Sequence, residues 1–150
     1  DPELSRGLGD VYKRQASKEH QEGMTEYGKQ LGIAFQLIDD VLDYSSSAEV
    51  LGKNLGDDLA EGKPTLPIIH AIKNCSNLEK NIIQAAIEHG DLSKLSAIQE
   101  IIKSTDANKY TYNLAKEAAN KAVAAINDIP NSKYKRALVS IAISSVDRLT

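Results

Sequence analysis

The sequence predicts an all-α protein. Apolar residues recur three and four positions apart along most of the chain, nothing alternates with period two, and helix start and stop residues bracket each periodic run. At 150 residues with 41% hydrophobic content, one domain is expected, large enough to bury roughly two thirds of its unfolded surface.

The elements follow in order. From about Lys18 to Tyr44, Met24, Tyr27, Leu31, Ala34, Phe35, Ile38, Val41 and Leu42 fall on one helical face. The stretch "SSSAEVLGKNLGDDLAEGKPT" then breaks the pattern with Gly52, Gly56, Gly62 and Pro64. It reads as a loop of about twenty residues, long enough to require a functional reason. Thr65 is placed to cap a short helix, "LPIIHAIKN", with Pro67 in its first turn, where a missing N–H is tolerated. Ser76 and Glu79 have the spacing of a capping box, and Gly90 closes that helix. Asp91 or Ser93 opens "KLSAIQEIIKS"; Asp106 opens a long helix from about Ala107 to Asn127; Pro130 ends the connection; Ser132 caps a last helix reaching about Arg148. Within the long helix, "AKEAANKAVAAI" carries too few bulky anchors for a membrane surface and suits close packing against a neighbouring helix.

Composition excludes several classes. A net charge of -3, with no interleaving of lysines and aromatics, argues against nucleic-acid binding. No apolar run reaches the 18 residues of a membrane span, and the single Cys75 cannot form an internal disulfide, so a reducing, cytoplasmic setting is expected. His20, His70 and His89 are scattered, without the spacing of a helical metal pair. Residues 1–15, "DPELSRGLGDVYKRQ", show no periodicity and read as foreign to the rest of the chain or as a disordered tail; the domain is expected over residues 16–150.

The chemistry concentrates in "QLIDDVLDY", residues 36–44. A helix C-terminus disfavours acids by about 0.3 to 1 kcal/mol each, and like charges three or four residues apart repel, yet Asp39, Asp40 and Asp43 stand together here. With Gln36 they fall within roughly a 100° arc opposite the apolar face. Taken alone, the run is compatible with a merely solvated face. The loop that follows adds two Gly-Lys steps, Gly52-Lys53 and Gly62-Lys63. Magnesium takes oxygen ligands, typically one or two carboxylates plus substrate phosphate oxygens, so acids on the helix and lysines on the loop suit a metal-bound diphosphate. The loop is not a nucleotide-binding P-loop, because Pro64 stands where Ser or Thr should follow the Gly-Lys pair.

"GIAFQLIDDVLDY" followed by "LGKNLGDDLAEGKPTLPIIHA" resembles the second aspartate-rich region of trans-polyprenyl diphosphate synthases, and within them bacterial octaprenyl diphosphate synthases. The resemblance is continuous from Tyr27 to about Ala71 and weaker toward Thr150. It implies an isoprenoid-synthase-type helical bundle that condenses isopentenyl diphosphate onto an allylic prenyl diphosphate to build a quinone side chain, acting as a homodimer. Magnesium is the implied cofactor. Carried over by resemblance, Asp39 is a direct metal ligand, supported by Asp40 and Asp43; Gln36, Lys53 and Lys63 contact the allylic diphosphate; Asp39, Asp40 and Lys53 act in catalysis; and Asp57 stands near the metal shell. Asp58 has no counterpart and reads as an ordinary loop acid. The family's first aspartate-rich motif is absent, so the sequence is expected to represent the C-terminal half of a chain about twice as long, incomplete as a catalyst by itself. The alternatives are a shorter-chain farnesyl or geranylgeranyl synthase, and a noncatalytic helical subunit.

Overall fold

A computed structural model describes residues 17–45 and 56–147. Among them there is no strand, and the helices are α1 (Lys18–Asp43), α2 (Asp57–Ala60), α3 (Leu66–Asn74), α4 (Asn77–His89), α5 (Leu95–Ser104), α6 (Ala107–Ala125) and α7 (Lys133–Val146), with a 3-10 turn at Leu92–Lys94. The all-α expectation holds. Residues 1–15 lie outside the described residues.

The longest helices, α1 and α6, form the central pair. The alanine stripe explains how closely they meet: Ala115, Ala118, Ala119 and Ala122 are all buried, and a Cβ built on Gly23 of α1 would lie 2.5 Å from the carbonyl oxygen of Ala125. Side chains this small leave the two backbones in contact. Ala34, Ile38 and Leu42 of α1 pack against Ala115, Ala118, Ala119 and Val146, while Tyr27 joins Ala122, Ile126 and Ala142. Tyr27 is held by more than packing, since its hydroxyl donates to the Leu138 carbonyl at 2.8 Å. The Lys135 ammonium donates to the Asn127 and Ile129 carbonyls, both at 2.7 Å, and so satisfies acceptors where α6 turns into α7.

A second core lies beside the C-terminal end of α1, where Tyr44 and Leu59 meet Ile68, Ala71, Ile83, Ala86, Ile98 and Ile102. This cluster fixes α2 to α5 around the end of α1.

Several expectations need correction. Met24 and Phe35, assigned to the buried face of α1, are 40% and 48% exposed; both sit at one rim of the apolar arc, and the helices packed on α1 cover its middle. The segment read as continuous loop contains α2, four residues too short to show a period. Gly56 caps it with φ 78°, a left-handed conformation suited to glycine, and fully buried Leu59 anchors it. Thr65 and Asp106 precede their helices but make no side-chain cap bond, and Asp106 itself is left-handed at φ 53°. The capping box forms as expected, with Ser76 N–H donating to Glu79 at 2.8 Å and Glu79 N–H donating back to Ser76 Oγ at 3.4 Å. Asp91 caps the 3-10 turn through Ser93 N–H, and Ser132 caps α7 through Lys135 N–H.

Candidate active site

The last turns of α1 present the acidic residues, and the last turn of the helix itself holds no basic residue. The four residues are not equivalent. Gln36 is exposed and donates from Nε2 to Asp40 Oδ1 at 2.9 Å, one helical turn away. Asp39 is half-buried. Asp40 is only 6% exposed and Asp43 is fully buried, so the acidic arc is not a solvated face. For Asp43 the reason lies in what folds back over it. Gly56 N–H donates to the Asp43 carbonyl at 3.1 Å, and Asp58 N–H donates to Asp43 Oδ2, also at 3.1 Å. A carboxylate at the end of one helix thus takes up an N–H that the first turn of the next leaves without an intrahelical partner.

Downstream, Lys63 N–H donates to the Asp58 carbonyl at 2.8 Å, which fixes the Gly62-Lys63 step relative to α2. The Lys63 side chain is exposed and forms an ion pair with Glu61. Its pKa is raised, first by that hydrogen bond, next by the Glu61 charge, with Asp58 and Asp43 adding smaller contributions. Lys63 therefore stands in the field of Asp43 at the end of α1, though Glu61 beside it acts more strongly. Asp57 is exposed in the first turn of α2. Gly52 and Lys53 lie outside the described residues.

Tyr44 was not singled out by the sequence, and Thr65 was read as a helix cap rather than as part of the site. Tyr44 is 3% exposed, and its pKa is pushed up by burial first, then by the charges of Asp43 and Asp58. Its hydroxyl and that of Thr65 are buried without a hydrogen-bond partner, although Thr65 lies close enough to pull the Tyr44 pKa slightly down. Asp58 was read as an ordinary loop acid, but its backbone N–H carries the contact to Asp43, and a main-chain donor leaves no residue-type signal.

Among the described residues, no three His, Cys, Asp or Glu side chains converge as a complete metal cage. The donor set fits a different kind of site. Adjacent Asp39 and Asp40 supply hard carboxylate oxygens of the number magnesium takes when substrate oxygens and water complete its shell. The histidines stand elsewhere, with His70 stacked on Tyr110 at 4.2 Å between ring centroids. No described helix is long and apolar enough to cross a membrane.

Comparison with known proteins gives a consistent picture. The sequence profile described as Polyprenyl synthetase matches residues 3–105, more than half of the chain. Octaprenyl diphosphate synthase of Haemophilus influenzae is 50% identical over 131 residues, covering 85% of this chain and 39% of the relative. The Escherichia coli enzyme of the same name is 42% identical over 131 residues, covering 87% and 41%. The crystal structure of a polyprenyl synthase from Caulobacter crescentus, complexed with calcium and isoprenyl diphosphate, superposes with a TM-score of 0.81 at 36% identity, covering 90% of this chain and 42% of that one. The chain thus spans about two fifths of the length of these relatives. With the profile matched over most of its length, the chain belongs to the polyprenyl synthetase family.

Proposed function

We propose that this chain forms the diphosphate-holding part of a prenyltransferase that extends an allylic prenyl diphosphate by one isopentenyl unit. The observation that carries the proposal is the arrangement at the end of α1: Asp39 and Asp40 adjacent on the helix, Gln36 bonded to Asp40, and Lys63 in the field of Asp43, one turn further on. Magnesium is the ion we assign, held by Asp39 and Asp40 with Asp43 behind them, and it supplies charge to the leaving diphosphate. Lys63 is assigned to the diphosphate oxygens, as is Lys53 by resemblance, and Gln36 holds Asp40 in place while contacting the substrate. Asp57 is assigned a place outside this set, among the waters around the metal. In the reaction the allylic carbon–oxygen bond breaks and diphosphate leaves. The double bond of isopentenyl diphosphate then attacks the cation, forming a carbon–carbon bond, and a proton is lost.

Identity of 42–50% to octaprenyl diphosphate synthases supports a long-chain product. The Caulobacter polyprenyl synthase is complexed with calcium and isoprenyl diphosphate, and calcium is a hard, oxygen-seeking cation of the same class as magnesium.

Calorimetry tests the reading. With magnesium and a non-hydrolysable allylic diphosphate analogue present together, the chain should bind; omission of either component should weaken binding. Equal heats with and without magnesium would overturn the proposal.

A further inference from the structure

Asp43 differs from the two aspartates before it. It is the one that is fully buried, one of its carboxylate oxygens accepts the Asp58 N–H at 3.1 Å, and its carbonyl accepts the Gly56 N–H at 3.1 Å. From Asp58 the connection continues, because the Asp58 carbonyl accepts the Lys63 N–H at 2.8 Å. The far side of α2 is pinned too: Gly90 adopts φ 59°, and a Cβ there would lie 2.6 Å from the Ala60 carbonyl oxygen. Thus α2 sits between Asp43 on one side and the end of α4 on the other.

We infer that Asp43 is a positioning residue, latching α2 to the end of α1 and thereby setting where Lys63 stands, while Asp39 and Asp40 carry the metal. This rests on the reading of the site proposed above. A buried carboxylate engaged by a backbone amide has little room for the two or three waters that magnesium retains. Its value lies in orientation, as for residues that hold a ligand rather than ligate. Asparagine offers the Asp58 N–H the same carbonyl acceptor without the charge, so the latch and the ligand roles respond differently to one substitution.

The experiment compares Asp43→Asn, Asp43→Ala and Asp39→Asn in this chain, with two readouts. Hydrogen exchange at the Asp58 amide reports the latch without metal or activity. Titration with magnesium in the presence of inorganic diphosphate reports the site. Asp43→Asn should keep the Asp58 amide protected and the magnesium midpoint within about threefold of native, whereas Asp43→Ala should lose at least about tenfold of the protection and weaken diphosphate binding. Asp39→Asn should leave the amide protected and move the magnesium midpoint by about tenfold or more. If Asp43→Asn moves the midpoint as far as Asp39→Asn does, Asp43 is a ligand and the inference falls. If Asp43→Ala leaves the Asp58 amide as protected as before, there is no latch and the inference falls. A midpoint untouched by Asp39→Asn would instead overturn the assignment of the metal site, and the exchange measurement would still decide the latch.

Discussion

The backbone N–H of Asp58 donates to the carboxylate of Asp43 across fifteen residues of chain, so two acidic residues are joined through the main chain of one of them. The Asp58 carboxylate is not the bonding group. Asp58→Ala keeps the donor and should therefore change stability by no more than about 0.5 kcal/mol, as for a surface site away from special features. Urea unfolding of the chain checks this; a loss above about 1.5 kcal/mol would mean that the carboxylate itself holds the segment.

Two glycines of α1 should respond with opposite sign. Alanine at Gly23 puts a Cβ 2.5 Å from a backbone oxygen of α6, which can yield only if the helix moves, and a loss of roughly 1 to 3 kcal/mol is expected. Alanine at Gly32 meets nothing within 4 Å and should raise helix stability by about 0.5 to 1 kcal/mol. Denaturant midpoints of the two variants, measured side by side, decide; a shift in the same direction would contradict the close approach of α1 and α6.

Tyr44 gives the fold an alkaline limit. Burial raises its pKa above the ordinary value of 10.0, so the unfolded chain releases this proton at lower pH than the folded one. The stabilising contribution is complete below about pH 10 and falls away as pH rises beyond it. Tyr44→Phe should flatten the loss of stability that sets in above about pH 10. At neutral pH it should be neutral or stabilising by about 1 kcal/mol, because the hydroxyl is buried without a partner. Marked destabilisation at pH 7 would show that the hydroxyl makes a bond the protein needs.

Glu61 competes for Lys63. Its carboxylate occupies the ammonium group assigned to diphosphate, and Glu61→Gln should release it. Binding of magnesium diphosphate, followed by calorimetry, should tighten by roughly two- to fivefold, with the gain shrinking as salt is added. Unchanged or weaker binding would remove Lys63 from the diphosphate site.

Most of the helical layout was legible because it rests on periodicity and punctuation. Ser76, Glu79, Gly90 and Ser132 mark helix ends through local hydrogen bonds or backbone conformations that sequence encodes directly. Thr65 and Asp106 carry the same signals without forming the bonds, and Asp106 does so from a left-handed backbone that residue type does not announce. At the site, the grouping of Gln36 with Asp40 followed from helical spacing. The burial of Asp43 did not, because it depends on α2 folding back from beyond a segment whose residue types specify no direction. What Asp43 engages on α2 is a peptide group, which every position but proline possesses.

The bond from Tyr27 to Leu138 joins positions 111 residues apart, and the α1–α6 contact that dominates the fold spans most of the same distance. During synthesis α1 leaves the ribosome long before its partner exists. At roughly 5 to 20 residues per second, the wait is on the order of 5 to 20 s, through which the face of α1 carrying Tyr27, Ala34 and Ile38 lacks its α6 partner. The cluster of α3, α4 and α5 draws on residues nearer in sequence, and such short-range closures form early because less chain entropy is lost. Packing of the central helix pair is therefore a late event in the life of each new chain, and the vulnerable interval, when Tyr27 and Ile38 face water, is set by the rate of translation.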